Sequence, residues 1–210
     1  MKPKETRGIG LLCFWTALLV SVLLLVPRTA GAAELTEQEV AVRFEEIADR
    51  YSMGDTLSEE DAAFVRQYAR RADLREQLPP GYVPRRAQNG SANVNTSRTM
   101  YGVAATLTGS VWHTGTVAYT WGATLTGRIA SGSTPKKMTV SAKVQAYGLA
   151  SSDSITLAYT KTLSNTTYGK RTVQMSKSDS YSGVILYYYV TSQLDVTTAS
   201  SSAFTVQSNW

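Results

Sequence analysis

Polar and apolar residues alternate along three segments of the C-terminal part of the chain, residues 116–129, 138–147 and 154–163. A period of two sends successive side chains to opposite faces of a strand. Each segment therefore predicts a strand with one face in a core and the other in water. The pattern is cleanest in the second segment, whose apolar positions are Met138, Val140, Ala142, Val144 and Ala146.

Shorter runs rich in Thr, Val and Tyr predict further strands, at residues 99–108, 167–177, 184–191, 194–198 and 203–208. Clusters of Ser, Gly, Asn and Asp between the runs predict turns. This number of short strands predicts a mainly β domain over residues 99–210, an antiparallel β-sandwich of immunoglobulin-like or similar type. A jelly roll or a small barrel is the alternative.

The acidic segment of residues 33–78 has a helical period instead. Thr36 and Glu39 have the spacing of a capping box, and apolar residues follow at helical intervals at Val40, Phe44, Ile47 and Tyr51. A second helix begins near Ser58 and ends before Pro79. Two short helices bury little surface on their own. We therefore expect this hairpin to pack on the basic domain, as a docking element or as a pro-segment.

The N-terminal segment has the organisation of an export signal. Basic residues at Lys2, Lys4 and Arg7 precede an uncharged run, and small residues up to Ala32 follow it. This pattern predicts a signal peptide over residues 1–32, cleavage after Ala32 and an extracellular, secreted protein. The alternative is an uncleaved N-terminal helix that anchors the chain in a membrane.

The net charge changes sign along the chain. Residues 33–86 carry twelve acidic and eight basic side chains, whereas residues 87–210 carry nine basic and three acidic ones. Such a shift marks a domain boundary, and the Pro, Asn and Ser content predicts a linker at residues 79–98. Arg85 and Arg86 in this linker are a candidate processing site; solvated charge is the alternative interpretation.

Residues that perform acid–base chemistry are scarce in the basic domain. From Ala87 onward there is no glutamate, one histidine and three aspartates. This composition argues against an enzyme and gives no sign of a cofactor or metal site. A hydrolase would have to use His113 with Ser110 or Thr114, oriented by an aspartate. A single histidine between two strands is more typical of a polar surface position.

Aromatic and basic residues are better candidates for a binding surface. Because side chains alternate along a strand, Tyr188 faces away from Tyr187 and Tyr189. Either a ring is exposed, or the strand is covered on both sides. Exposed rings stack on sugars or contact proteins, and lysine pairs attract anionic polymers. The candidate ligand-binding residues are Trp112, Tyr147, Tyr187, Tyr188, Tyr189, Trp210, Lys136 and Lys137, with Lys170-Arg171 as a second basic pair.

These patterns predict a secreted, non-catalytic protein that binds or assembles at the cell exterior. A cell-wall polymer, a glycan or another extracellular protein is the expected partner, and the modest positive charge of the exported part argues against nucleic acid. A membrane-active or pore-forming β protein is the alternative, because alternation alone does not distinguish a lipid-facing surface from a core. A hydrolase using His113 is the third hypothesis.

Overall fold

The structure, a computed structural model, describes residues 35–72, 90–150 and 154–210. The predicted signal peptide with Ala32, the candidate processing residues Arg85 and Arg86, and Asp153 lie outside the described residues. Within these ranges the chain is mainly β, as predicted, with two helices and two antiparallel sheets. The helices are α1 (Glu37–Arg50) and α2 (Glu59–Tyr68). The strands are β1 (Arg70–Arg71), β2 (Gly90–Met100), β3 (Val103–Gly115), β4 (Ala118–Ser131), β5 (Lys137–Leu149), β6 (Ile155–Tyr168), β7 (Thr172–Ser182), β8 (Ile185–Thr197) and β9 (Ala203–Asn209).

The strands form two sheets, and successive parts of the chain alternate between them. In sheet 1, β5 lies between β6 and β8, and the other edge of β8 is shared by the short β1 and by β9. Sheet 2 has the order β2-β3-β4-β7. In an immunoglobulin constant domain the third strand lies in the opposite sheet from the first two, whereas β2, β3 and β4 are neighbours here. The strand order is therefore not the immunoglobulin one.

The first long strand begins earlier than the sequence predicted. Residues 90–98, assigned to the linker from their Asn and Ser content, form most of β2 and pair with β3. Val94 is the buried residue of that stretch, so a single large apolar position left no alternation to recognise. The predicted strand at 99–108 is instead interrupted by a turn at Tyr101 and Gly102, where both residues have a positive φ.

Both sheets contribute to one hydrophobic cluster, which we call the inner core. The apolar positions predicted for residues 138–147 all belong to it and are fully buried. Sheet 2 contributes its own alternate residues, including Leu107, Trp121 and Leu125. The prediction of a buried apolar face is confirmed for these segments, but the opposite face of β5 is not left to water throughout, because Gln145 and Tyr147 on it are also buried.

The helices cover the opposite face of sheet 1 and create a second cluster, the hairpin interface. Its buried members are Val40, Phe44, Ile47, Leu57, Ala62, Val65, Tyr147, Ile155, Leu157, Tyr187 and Tyr189. The ring of Phe44 stacks on Tyr189 with 3.8 Å between centroids. Backbone hydrogen bonds from Leu57 to Ile155 (2.8 Å) and from Ala72 to Leu186 (2.8 Å) attach the hairpin to the edges of the sheet. The hairpin therefore packs on the basic domain.

Polar contacts stabilise the start of α1 and the packing of the two helices against each other. The capping box forms as expected, with the Thr36 amide bonded to Glu39 at 2.8 Å and the Glu39 amide bonded to the Thr36 hydroxyl at 3.3 Å. The carboxylate of Asp61, fully buried in α2, accepts bonds from Arg43 and Arg50 of α1, each at 2.8 Å. Lys143 of β5 pairs with Glu45 of α1. The acidic hairpin is thus joined to the basic domain by charge as well as by apolar contact.

Candidate ligand-binding site

The consecutive tyrosines of β8 are covered on both sides of the sheet. Tyr187 and Tyr189 lie beneath the hairpin, and Tyr147 of the neighbouring strand is fully buried beside them. Tyr188 faces the inner core, where its ring stacks on His113 at 4.2 Å. These four tyrosines present no exposed ring to a ligand, which corrects the prediction that they form a stacking surface. Local periodicity left both arrangements open, and the hairpin decides between them.

The two tryptophan candidates differ in exposure. Trp210 is buried against Tyr188, with 5.4 Å between ring centroids, and the Arg70 guanidinium lies 5.2 Å from the centre of the indole ring. Its backbone exchanges two hydrogen bonds of 2.8 Å with Val190. Trp112 is half-buried and lies over Gly122 of the adjacent strand, where any side chain would collide with the indole. Both rings serve packing between strands.

His113 lies within β3 and is buried, which corrects the prediction of a polar surface position. It is only 4% exposed, and its Nε2 is 2.5 Å from the hydroxyl of Tyr181. Burial among aromatic rings lowers its pKa to about 4. The imidazole is therefore neutral near pH 7. Within the described ranges its hydrogen-bond partner is a tyrosine rather than a serine, threonine or carboxylate, which is not the arrangement of a nucleophile–base pair.

The two described aspartates of the basic domain lie in different sheets. Asp179 of β7 accepts hydrogen bonds from the Ser180 amide (2.8 Å) and from the Tyr159 hydroxyl (2.9 Å), and these bonds hold its pKa below the ordinary value. Asp195 of β8 accepts a bond of 2.6 Å from Thr205. Among the described residues, no group of three His, Cys, Asp or Glu side chains is placed to hold a metal ion. The acids thus have structural partners.

The basic pairs predicted from sequence come together at one end of the two sheets. The backbone oxygen of Lys136 accepts a bond of 3.1 Å from Gly169, which joins the turn before β5 to the turn before β7. Arg171 in the second turn donates 2.7 Å to the carbonyl of Gly132 in the first. Both turns therefore hold their cations at the same edge. We call this surface the basic end, and its cations are Lys136, Lys137, Lys170 and Arg171, all of which are exposed.

Two tyrosines that sequence reasoning missed are exposed at the basic end. Tyr168 is the register partner of Lys137 and is 70% exposed, and Tyr101 is 59% exposed. The turn at Tyr101 and Gly102 adjoins the first basic turn. The Gly102 carbonyl lies so close to Gly132 that a side chain at Gly132 would collide with it. The sequence Tyr168-Gly169-Lys170-Arg171 carried a usable signal, since a glycine turn at the end of a strand exposes its neighbours.

The backbone at the basic end contains both non-glycine residues that have a positive φ in the described ranges, Tyr101 at 52° and Ser201 at 69°. L-residues adopt this left-handed conformation at a cost, and such strain is concentrated at functional positions. Lys136 donates a hydrogen bond of 2.6 Å to the Ser201 hydroxyl. One cation is thereby oriented by a strained turn, while Lys137 and Lys170 extend into solvent.

The basic end has few neighbouring acids. In the described part of the chain, none of its four cations forms a salt bridge, because the ion pairs lie in the hairpin and at its contact with β5. Asp195, the register partner of Thr139 and thus two positions beyond Lys137, accepts a hydrogen bond from the Thr205 hydroxyl. The surface therefore carries a positive potential, which attracts anions and is screened by salt.

Comparison with protein-family models, curated proteins and solved structures finds no match to this chain. Over residues 35–72, 90–150 and 154–210, neither helix has the length and apolar character needed to cross a membrane. Interpretation of the site therefore rests on its own geometry and charge.

Proposed function

We propose that this chain is a secreted, non-catalytic β-sandwich protein that binds an anionic polymer of the cell exterior through its basic end. The observation that carries the proposal is the gathering of four exposed cations and two exposed tyrosines in adjoining turns. A phosphate- or carboxylate-bearing wall polymer has the chemistry that this surface complements. An acidic glycan or a protein with an acidic surface would meet the same groups.

The spacing of the cations favours a polymer over a small anion. A small anion is bound tightly when several donors converge on it, whereas these side chains spread along the edge of two turns. Lys137 and Lys170 are exposed and flank Tyr168, so each would contact a different charged group of an extended ligand. Individual exposed contacts are weak. Binding is therefore expected to depend on several contacts at once and on ionic strength.

The absence of catalysis is supported by the state of the ionisable groups. His113 is buried and neutral, and Asp179 and Asp195 accept hydrogen bonds from neighbouring side chains. The export pattern ending at Ala32 supports a location outside the cell. A protein of this kind holds its ligand on a rigid sheet edge and uses loops for contact, as is common for β domains.

Retention on immobilised long-chain polyphosphate tests the proposal, with neutral dextran as the control matrix. The full chain is expected to bind polyphosphate at low salt and to elute as salt rises. The double variant Lys137→Gln/Lys170→Gln should bind roughly tenfold more weakly, because it removes two contacts to the polyanion. Both residues are exposed, so folding should be unchanged.

The matched control is Lys161→Gln/Lys177→Gln, which lowers the net charge equally from two other exposed lysines. Binding of this control should stay within about twofold of the parent if the surface rather than the net charge is responsible. Equal losses in the two variants, or no retention by the parent chain, would contradict the proposal. Dye release from liposomes would favour the membrane-active alternative instead.

A further inference from the structure

A polar groove lies between the edge strands of the two sheets, away from the basic end cations. β2 is the edge strand of sheet 2, and β9 is an edge strand of sheet 1. The groove has a volume of about 380 Å³, with Arg98 of β2 and Thr205, Gln207 and Asn209 of β9 in its lining. The first turn of α1 closes one side through Gln38. None of the four cations of the basic end is in the lining of this groove.

The register of β9 shows which of its backbone groups face the groove. The N–H of Trp210 donates to the C=O of Val190, and the N–H of Val190 donates to the C=O of Trp210. In an antiparallel pair, every second residue of a strand bonds to the same neighbouring strand. Residues of the opposite parity, Thr205, Gln207 and Asn209, therefore direct their backbone groups away from β8. The guanidinium of Arg98 bonds to the Thr205 carbonyl at 3.0 Å, which agrees with this direction.

The edge of β9 is covered by Arg98 at the Thr205 carbonyl but is less protected against a further strand beyond it. Edge strands are commonly blocked by a lysine, a proline or a bulge, and residues 203–209 contain none of these. The amide side chains are also held off the edge. Gln207 donates 3.0 Å to Asn209, which donates 3.1 Å to the Glu37 carbonyl at the start of α1. Among the described residues, no backbone hydrogen bond from outside the sheet occupies the N–H or C=O of Gln207.

We propose that this groove binds an extended peptide segment of a partner protein, which adds to β9 as a further strand. Main-chain hydrogen bonds to Gln207 and Asn209 would supply the affinity, as in other cases of strand addition. Arg98 is exposed and, among the described residues, forms no salt bridge. It therefore favours an acidic side chain or a terminal carboxylate at its own end of the groove, whereas Glu37 lines the groove beside Asn209. Residues 205–209 span roughly 13 Å of extended chain.

Amide hydrogen exchange with two peptides tests this directly. The probe is Thr-Val-Thr-Val-Asp at millimolar concentration, and the comparison peptide ends in Lys. The acidic peptide should slow exchange at Gln207 and Asn209 several-fold and bind more tightly than the basic one. Arg98→Gln should remove the preference between them. Unchanged exchange at both amides would overturn the proposal.

Two further reagents separate strand addition from a side-chain effect. Gln207→Pro removes the N–H that faces the groove without removing a bond to β8, and should abolish peptide binding, whereas Gln207→Ala should retain it. An N-methylated peptide that cannot pair should also fail to bind, whatever the stability of the Pro variant. Equal binding of the methylated peptide, or slowed exchange when the chain is concentrated alone, would overturn the proposal.

Discussion

The two hydrophobic clusters on either side of sheet 1 are stabilised in different ways. The inner core is almost free of charge, and its one ionisable imidazole, His113, is neutral. The hairpin interface also has aromatic contacts, but it lies beside the buried Asp61 and the Lys143–Glu45 pair. The difference follows from the sequence, because acids are concentrated before residue 87 and are scarce after it.

This contrast explains how one sheet is buried on both faces. Strands covered on two sides usually read as continuous apolar runs, but β5 and β8 keep polar residues such as Lys143 and Gln145 on the face beneath the hairpin. That face is completed by side chains that combine an apolar body with a polar group, chiefly Tyr147, Tyr187 and Tyr189. The hairpin is therefore a structural part of the domain, and its removal would expose a large aromatic surface.

The largest expected effect is on the free energy of unfolding. It tests whether the hairpin interface contributes as much to stability as the inner core does. Phe44→Ala removes a fully buried ring that stacks on Tyr189, and should lower the free energy of unfolding by about 3–5 kcal/mol. Leu107→Ala in the inner core should cost about 2–5 kcal/mol. Denaturant unfolding of both variants provides the measurement. Val42→Ala, at a half-exposed position of the same helix, is the control and should change stability by less than about 0.5 kcal/mol.

A near-zero effect of Phe44→Ala, with a normal effect of Leu107→Ala, would show that the hairpin is only loosely attached. Retention of native β-sheet content by both variants at low temperature would keep the comparison interpretable. Matched losses would show that the two clusters unfold as one cooperative unit.

A smaller effect, a pH dependence of the free energy of unfolding, should arise from His113 in the inner core. The pKa of His113 is about 4 in the folded chain, whereas its ordinary value is 6.5, so the unfolded chain binds more protons between these two pH values. The free energy of unfolding should therefore fall as pH drops from about 6.5 to 4, by on the order of 3 kcal/mol. His113→Gln keeps a hydrogen-bonding side chain and should abolish this dependence. An unchanged pH profile in the variant would contradict the assignment.

The smallest expected effect belongs to the charged network of the hairpin interface. Burial raises the pKa of Asp61, but hydrogen bonds from Tyr51 and Ser58 and the charges of Arg43 and Arg50 outweigh burial and lower it overall. The stabilisation is present above the ordinary pKa of 3.8 and is lost as pH falls through the lower folded value. Asp61→Asn should cost about 2 kcal/mol at pH 7, less than a wholly buried pair, because both arginines are partly exposed.

Thermal unfolding at pH 7 and at pH 3 measures the effect of Asp61→Asn. Glu60→Gln is the control, since Glu60 contacts the same Arg43 at 3.0 Å but is 85% exposed. A cost for Glu60→Gln equal to that for Asp61→Asn would show that burial of the carboxylate is irrelevant. Acid sensitivity above pH 4 would then belong to the inner core alone.

The sequence by itself determined part of the local structure of this protein. Alternation in residues 138–147 identified their buried face, and the Thr36–Glu39 spacing identified the start of α1. Both features depend on neighbours a few residues apart, which the backbone geometry of a strand or helix relates directly. Composition also limited the acid–base groups available to the basic domain.

Only the tertiary structure decided what lies beside each face. It placed the hairpin over Tyr187 and Tyr189, buried His113 beside Tyr188, and brought Lys137 next to the exposed Tyr168. These contacts join residues that are far apart in the chain, and they depend on which strands pair and in which register. A sequence period of two indicates which residues share each face of a strand, but it does not indicate what covers either face.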